Sequence, residues 1–305
     1  MSKRCLVVLL LTLLTPVPLL SAVADSAMML TNRFAVKGDG EVNTYVFDDG
    51  ETIVVVDSQR LESLAEAVAE LVGDRADRVA GVLITHPHPD HVSGINVLRQ
   101  AFGAPIIGSR ATADELANDT MGYLALTREL YPDDSSSEPL TIDQFVADGD
   151  TLTLGDFTFE IYELGHGESV TMTLYYEASR RMLIAGDLFA VGRTPFLLDG
   201  HVLDWINQLD WLAETFDADV MVYPGHGEPG ALGDLVPAQR TYLEDFVSLV
   251  AAANTDRVLS YKERQTIVDT MNERYPDHPP VAAIPDLLEQ NMEAVDAELK
   301  ARGNQ

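Results

Sequence analysis

The sequence predicts an α/β protein in which two β-sheets pack face to face and helices cover their outer faces. Short apolar runs typical of strands alternate with amphipathic helices in the first half of the chain. The second half repeats this alternation in a β-rich form, and a helical pattern then continues to the end. Strands and amphipathic helices must bury their apolar faces against one another. An arrangement with the sheets inside and the helices outside buries these faces in both halves of the chain.

The first half starts with three strand-like runs and continues with alternating helices and strands. Apolar residues recur at helical spacing from Leu61 to Val72 and predict a helix there. A buried strand is predicted in "VAGVLIT", a helix in "INVLRQAF", a strand in "PIIG" and one long helix over residues 111–130.

The second half contains two predicted strand pairs, a helix and a final strand. "DTLTLGDFTFEIYEL" alternates apolar and polar residues on both sides of a Gly-Asp turn, which indicates a hairpin. Another strand pair surrounds "EASRR", an amphipathic helix covers Val202 to Phe216, and "DVMVYPGHG" forms the last strand. Three helical segments follow from about Ala238, and their apolar stripes are expected to pack on the main domain.

The chain is predicted to divide into three parts. Residues 1–24 have a basic start, an apolar run and a small-residue site ending at Ala24, which is the pattern of a cleaved signal peptide. The apolar run is too short for a membrane-spanning helix, which needs about 20 residues. Residues 25–237 would form the main domain and residues 238–305 a C-terminal helical region. We therefore expect an exported protein, periplasmic or secreted, that leaves the membrane after cleavage.

Charge and cysteine content limit the expected partners. The chain has 49 acidic and 20 basic residues, a net charge of −29 at pH 7. Such a surface repels nucleic acid and anionic membranes, so a small-molecule substrate is the expected partner. The only cysteine, Cys5, lies in the predicted signal peptide, so the mature chain has no disulfide and no thiolate. A homodimer formed through the C-terminal helices is left open.

Three of the seven histidines lie in "THPHPDH", directly after a predicted strand. Residues two apart in an extended segment point to the same side, so His86 and His88 can bind one metal ion. The two intervening prolines prevent a helix before His91. Asp90 and His91 would then reach a neighbouring position. Histidine and carboxylate donors suit Zn²⁺, and also Fe or Mn.

Three more metal-ligating residue types follow predicted strands. His166 and His226 each lie in a Gly-His-Gly tripeptide, and Asp187 ends an apolar strand after a glycine. A carboxylate in such a place is costly to bury unless it is paired or bound to a metal. Because α/β sheets place their sites at the carboxyl ends of strands, these residues are expected to join the first cluster.

These motifs resemble those of the metallo-β-lactamase superfamily. "THPHPDH" is similar to its His-x-His-x-Asp-His signature, and the later His, Gly-Asp and Gly-His-Gly follow in the family's order. The resemblance covers about Phe34 to Gly230 and implies a four-layered αββα sandwich with a dinuclear metal site at one edge. The ligand set is most similar to that of glyoxalase II and the lactone hydrolases. Zinc β-lactamases have a different residue where Asp187 stands, which disfavours antibiotic hydrolysis.

The resemblance implies seven metal ligands, two sets of three and one residue shared between them. These are His86, His88 and His166 for one metal, Asp90, His91 and His226 for the other, and Asp187 as the bridge.

The chemistry implied is hydrolysis at a carbonyl. Two Zn²⁺ ions per chain are expected, with Fe or Mn as alternatives, and a hydroxide that bridges them would attack a small ester, thioester, lactone or lactam. Asp90 is the expected catalytic residue, which orients the hydroxide and passes a proton to the leaving group. Asp57, at the end of "IVVVD", either orients a ligating histidine or caps a turn.

Substrate contacts and the reaction itself have alternatives. Arg193 could anchor a substrate carboxylate or form an ordinary salt bridge, and His201 could wall the pocket or begin a helix. Two other functions fit the same motifs: a mononuclear-iron, persulfide dioxygenase-like oxidoreductase, and a non-catalytic metal-binding interaction protein. The complete donor set favours two metals and catalysis.

Overall fold

The computed structural model describes residues 29–35, 41–253, 258–282 and 284–303. The predicted signal peptide, residues 1–24, lies outside the described residues. Within the described ranges the chain forms two six-stranded sheets. In spatial order the first sheet contains β1 (Leu30–Phe34), β2 (Thr44–Asp48), β3 (Ile53–Val56), β4 (Val79–Leu83), β5 (Ile106–Ser109) and β6 (Gln144–Val146).

In the second sheet the strands again lie side by side in the order of the sequence, from β7 to β12. Its strands are β7 (Thr151–Leu154), β8 (Phe157–Leu164), β9 (Met172–Glu177), β10 (Met182–Ala190), β11 (Met221–His226) and β12 (Gly230–Ala231). In the first sheet β3 to β6 are parallel to one another, and in the second β10 and β11 form the parallel pair. The carboxyl ends of β4, β10 and β11 are the strand ends from which the site is built.

Nine α-helices are present in the part of the chain that the structure describes. They are α1 (Glu62–Val72), α2 (Pro89–Val92), α3 (Ile95–Phe102), α4 (Arg110–Asn118), α5 (Tyr123–Leu130), α6 (Val202–Thr215), α7 (Leu232–Ala253), α8 (Tyr261–Arg274) and α9 (Leu287–Gly303). Two short 3-10 helices, Gly73–Arg78 and Ala178–Arg180, precede β4 and β10. None of the described helices is long and apolar enough to cross a membrane.

The packing of β3 shows why its sequence is apolar at every position. Ile53 and Val55 pack on the helix side of the first sheet, whereas Val54 and Val56 pack against the second sheet. All four residues are buried, as expected for a strand covered on both faces. The predicted four-layered αββα sandwich is therefore confirmed.

Helices close the sandwich on both sides. Val68 of α1 and Leu98 of α3 are fully buried in the core on the outer face of the first sheet. Trp205 of α6, Phe246 of α7 and Met292 of α9 are fully buried in the core on the outer face of the second sheet. The three-part division of the chain stays a prediction, and the boundary proposed after residue 237 falls inside α7.

The long helix predicted over residues 111–130 is wrong, because the structure has α4 and α5 there instead. Asp119 ends α4 in the left-handed region, with φ 44°, and Gly122 precedes α5 with φ 74°. The Asp119 carboxylate then accepts the backbone N–H groups of Leu124 (3.0 Å) and Ala125 (2.8 Å). An acidic side chain on these free N–H groups stabilises the start of a new helix.

Candidate metal centre

Buried histidines and carboxylates converge where several strands end. His86 and His88 follow β4, Asp90 and His91 lie in α2, Asp187 lies in β10, and His226 ends β11. Glu168 comes from the loop between β8 and β9. Their ligand atoms form two groups, and within each group the atoms lie within 4.8 Å of one another. The groups are His86, His88, Glu168 and Asp187, and Asp90, His91 and His226.

The first group combines two imidazoles with the carboxylates of Glu168 and Asp187. Glu168 places Oε2 3.6 Å from Nε2 of His86 and Oε1 3.3 Å from Nδ1 of His88. The extended conformation of "THPH" turns both histidines to this side, as their spacing predicts. The Glu168 side chain is 1% exposed, so its charge is removed from water.

The second group lies beside the first. Oδ2 of Asp90 is 3.5 Å from Nε2 of His226, and Nε2 of His91 is 4.0 Å from Oδ1 of Asp90. Arg60 approaches the same carboxylate at 3.2 Å. The Asp90 carboxylate can thus act as a metal ligand together with His91 and His226, while Arg60 partly balances its charge.

Asp187 lies between the two groups. Its Oδ1 is 3.2 Å from Nε2 of His91, and its Oδ2 is 3.2 Å from Nε2 of His226 and 4.0 Å from Nε2 of His86. A glycine at position 225 makes room for it, since a Cβ there would sit 1.8 Å from Oδ1 of Asp187. This position is the one expected for a carboxylate shared by two ions.

The structure does not bring His166, which the family resemblance implies as a ligand, into either group. His166 is exposed and stacks on His201, with ring centroids 4.2 Å apart. Glu168 occupies the inward position instead. The candidate ligands of the first group are therefore two histidines and a glutamate, together with the shared Asp187.

The backbone of the loop explains this exchange. Nε2 of Gln208 in α6 donates to the carbonyls of Gly165 (3.1 Å) and His166 (2.9 Å). A Cβ at residue 167 would meet the Gln208 amide at 2.1 Å, so a larger residue there would have to displace this side chain. Gln208 holds the backbone on the α6 side, and Glu168 is then directed into the cluster.

Buried polar atoms test whether cations fit this cluster. Nε2 of His86, Nε2 of His91 and both oxygens of Glu168 are buried without a hydrogen-bond partner among the described residues. Burying such atoms unpaired costs free energy, and burying an unpaired carboxylate costs far more. Three carboxylates with imidazole donors are a ligand set that Zn²⁺, Fe or Mn accepts. The residues therefore fit two metal ions.

The electrostatics of the side chains lead to the same conclusion. Burial raises the pKa of Glu168 to about 7, an effect that His88 only partly opposes. Burial alone would lower the pKa of His226, but the carboxylates of Asp187 and Asp90 raise it to about 9. Nearby carboxylates also raise the pKa of His88 and His91, whereas burial and the neighbouring imidazoles lower the pKa of His86. Bound metal ions would balance the same buried acids.

Further contacts orient the ligating imidazoles. Oδ2 of Asp57 lies 2.7 Å from Nδ1 of His91, which directs Nε2 of that ring into the cluster. The same carboxylate accepts the backbone N–H of Thr85 at 2.9 Å, and the Thr85 hydroxyl is 2.9 Å from Nδ1 of His86. Of the two roles predicted for Asp57, the contact with a histidine of the cluster is the one that the structure contains.

A cavity of about 410 Å³ opens over the second group. Its floor includes His88, Asp90, Asp187 and His226. Its walls come from α5, from the loop after β10 and from the segment that leads into α9. A volume of this size is typical of a small-molecule site.

Neither predicted substrate contact lines this cavity. Arg193 pairs with Glu41, so it forms the ordinary salt bridge that was its alternative. His201 lies at the start of α6, stacks on His166 and approaches Asp204 at 3.6 Å. The structure therefore places neither residue at the cavity, and substrate binding by them stays a prediction.

Sequence reasoning missed several residues of the site. Glu168 is two residues from His166, so strand alternation could not distinguish them. Asp199 lies 3.5 Å from Nε2 of His88 and accepts a hydrogen bond from the Tyr123 hydroxyl at 3.0 Å. Arg60 gave no sequence signal beyond its charge. The "LLDG" turn before α6 was the only hint of Asp199.

Comparisons with known proteins agree with this geometry. The sequence model described as "Metallo-beta-lactamase superfamily" matches residues 38–226. The chain is 26% identical over 198 residues to a metallo-beta-lactamase type 2 of Bacillus cereus, covering 64% of this chain and 70% of that protein. It is 27% identical over 183 residues to a hydroxyacylglutathione hydrolase of Rhodobacter capsulatus, covering 60% of each.

The fold extends beyond the matched residues. The crystal structure of a beta-lactamase domain protein from Burkholderia ambifaria superposes with a TM-score of 0.64 and 18% identity, over 94% of this chain and 91% of that chain. This likeness concerns the fold, and it covers a larger share of this chain than the family match does. With its αββα sandwich, its paired clusters of metal-ligating residues and the family match over more than half of its length, the chain belongs to the metallo-β-lactamase superfamily of metal-dependent hydrolases.

Proposed function

We propose that the protein is an exported dinuclear zinc hydrolase that attacks the carbonyl of a small ester, thioester, lactone or lactam. The observation that carries this proposal is the pair of buried donor groups that share Asp187 at the floor of a cavity. The superfamily supplies the reaction class, and the donors supply the place where it occurs.

The proposed ligands differ in one position from the set implied by the sequence motifs. The first ion would be held by His86, His88 and Glu168, and the second by the three donors of the other group, with Asp187 shared. Zn²⁺ is bound by histidine and carboxylate donors and is the proposed metal. The three carboxylates also suit Fe or Mn, so metal identity is part of the test.

When bound, such ions supply an activated water and a Lewis acid for the carbonyl oxygen. The residues of this chain do the rest. Asp90 faces both the second group and the cavity, so its carboxylate can hold a proton and pass it to the leaving group. Arg60, 3.2 Å from Asp90, keeps the carboxylate in place. The Asp199 carboxylate and the Tyr123 hydroxyl orient His88 from the other side of its ring.

A second candidate is favoured by the first group taken alone. Two histidines and one glutamate are the donor set of many non-haem iron oxygenases. His86, His88 and Glu168 would then hold a single iron, as in the persulfide dioxygenase-like alternative. The second group argues against this candidate, because a mononuclear enzyme has no use for three more buried donors.

The test combines metal analysis with a panel of substrates. Purified protein is measured for metal by elemental mass spectrometry and assayed with thioester, lactone, ester and β-lactam compounds. Two equivalents of zinc and turnover of a carbonyl class are the expected results, with turnover lost in Asp187→Ala and kept in the control His201→Ala, whose side chain is half-buried outside the cavity. One iron per chain with dioxygen uptake and no hydrolysis would move the oxidase to first place. Two metals without turnover of any compound would favour the non-catalytic binding protein.

Export and association are separate parts of the proposal. The composition of residues 1–24 supports cleavage after Ala24, and N-terminal sequencing of protein recovered from cells tests it. An N-terminus at Asp25 is expected, and an intact Met1 would contradict export by this route. Light scattering of the purified protein tests whether it forms a homodimer.

A further inference from the structure

The residues that line the walls of the cavity indicate the class of substrate, which the metal ligands alone do not. Eighteen residues line it. Four of them are the floor residues and a fifth is Arg60. The other thirteen are uncharged. Among the described residues that line the cavity, Arg60 is the only cation, and it pairs with Asp90.

The apolar wall begins directly beside the metal-ligand cluster. The Phe196 ring lies 5.2 Å from the His88 ring, and the Tyr123 ring lies 5.6 Å from that of Phe196. Leu126 and Leu130 continue this wall on the same face of α5, since residues three, four and seven apart share a helix face. They are 49% and 62% exposed, which places them at the outer rim. A ligand in the cavity would cover these two leucines, which explains why apolar side chains occupy the exposed positions.

A second part of the wall comes from the C-terminal part of the chain. Val281 and Ile284 line the cavity and pack with Phe196 and Leu198 in a separate small core. This wall lies beyond residue 226, where the family match ends. Val281 and Ile284 therefore lie outside the part of the chain that the family model matches.

Hydrogen bonds fix this wall in place. Thr194 donates its backbone N–H to the carbonyl of Pro279 (3.0 Å) and accepts the N–H of Val281 (3.1 Å). The fully buried Asn291 side chain accepts the N–H of Leu197 (2.9 Å) and donates to the carbonyl of Pro195 (2.8 Å). Because these hydrogen bonds join the loop after β10 to the C-terminal part of the chain, this wall of the cavity is held in a fixed position.

We infer that the substrate is a neutral acyl compound whose apolar chain extends from the metal centre along Phe196 to the Leu126–Leu130 rim. This inference rests on the proposed hydrolase function and narrows its substrate class. Away from the proposed metal ions, a substrate carboxylate would be desolvated along the wall, and Arg60, the only lysine or arginine among the described lining residues, already pairs with Asp90. The strongly acidic surface would also repel an anion before it entered. β-Lactams and glutathione thioesters both carry carboxylates, so esters and lactones with apolar acyl chains remain.

The probes are 4-nitrophenyl esters with acyl chains of two, four, six and eight carbons. Mono-4-nitrophenyl suberate, which has eight carbons and a terminal carboxylate, is the charged counterpart of the octanoate. For metal-loaded protein, kcat/KM should rise about three- to fourfold per methylene, since each buried methylene contributes a factor of this size. The suberate should react at least a hundredfold more slowly than the octanoate.

Two lysine variants separate the cavity from the rest of the surface. Leu130→Lys places a cation at the rim and should raise suberate hydrolysis at least tenfold while lowering that of the octanoate. Leu71→Lys, in α1 at a position that is 38% exposed and does not line the cavity, should change neither. Hydrolysis that is independent of chain length and charge would overturn this inference alone. Turnover of thioesters or β-lactams without turnover of the esters would also overturn this inference alone. Failure to hydrolyse any ester, thioester, lactone or β-lactam would overturn the proposed function together with it.

Discussion

Replacement of Glu168 is the change that distinguishes the observed ligand set from the one implied by the family motifs. Glu168→Gln keeps the shape of the side chain but removes its charge from a site where the side chain is 1% exposed. His166→Ala is the matched control, because His166 is two residues away, exposed, and outside both groups.

The size of the effect follows from the contacts of Glu168. Its two oxygens lie 3.3 and 3.6 Å from ring nitrogens of His88 and His86. Mutating groups that only orient a ligand lowers metal affinity about 10- to 100-fold. Loss of a direct, charged ligand should exceed this range, so we expect at least about a 100-fold loss at the first site, or about 2.7 kcal/mol.

The assay is equilibration against a buffered chelator, followed by elemental mass spectrometry. Wild-type protein and His166→Ala should retain two metal ions per chain. Glu168→Gln should retain about one, held by the second group. Thermal melting of the metal-free proteins checks that each variant is folded. Two ions in Glu168→Gln together with one in His166→Ala would refute the reasoning.

Three further changes test the supports of the site. Metal removal by a chelator should lower the melting temperature by about 8 °C or more. A ligand at 1,000 times its Kd adds about 4 kcal/mol to the stability of a folded protein. Each kcal/mol moves Tm by about 2–4 °C in a chain of this size. Asp57→Asn should lower metal affinity about 10- to 100-fold, measured by competition with a chromophoric chelator, since an amide that donates to Nδ1 of His91 forces the proton onto the Nε2 that faces the cluster. Gly225→Ala should lower metal content and destabilise the protein by about 1–3 kcal/mol in urea unfolding, because its Cβ would overlap Oδ1 of Asp187.

Each of these has its own contrary result. An unchanged melting temperature after chelation would mean that no metal stabilises the fold. Wild-type affinity in Asp57→Asn would show that the contact with His91 does not set its tautomer. For Gly225→Ala the control is Gly165→Ala, where a Cβ meets nothing within 4 Å, and equal effects of the two would exclude the close approach to Asp187 as the cause.

Local sequence patterns predicted the elements whose causes are local. The strands and most helices follow from apolar periodicity, and the histidine cluster follows from a strand end and two-residue spacing. The division of residues 111–130 into α4 and α5 depends on Asp119 capping the second helix, which is a local signal that the helical periodicity obscured.

The remaining differences have causes that are distant in the sequence. Glu168 points inward because Gln208, forty residues later, holds the backbone of its loop. Arg193 is engaged by Glu41, which lies 152 residues away. The second wall of the cavity depends on Asn291 binding the loop at Leu197. Single-sequence patterns carry no information on such contacts.

The central claim is a dinuclear centre with one ion beside Glu168, and anomalous diffraction from crystals of the metal-loaded protein tests it most directly. Data collected at the absorption edge of the bound metal should give two peaks. One is expected among His86, His88 and Glu168, and the other among Asp90, His91 and His226, with Asp187 next to both. A single peak, or a first-site peak ligated by His166 with Glu168 turned away, would contradict the account.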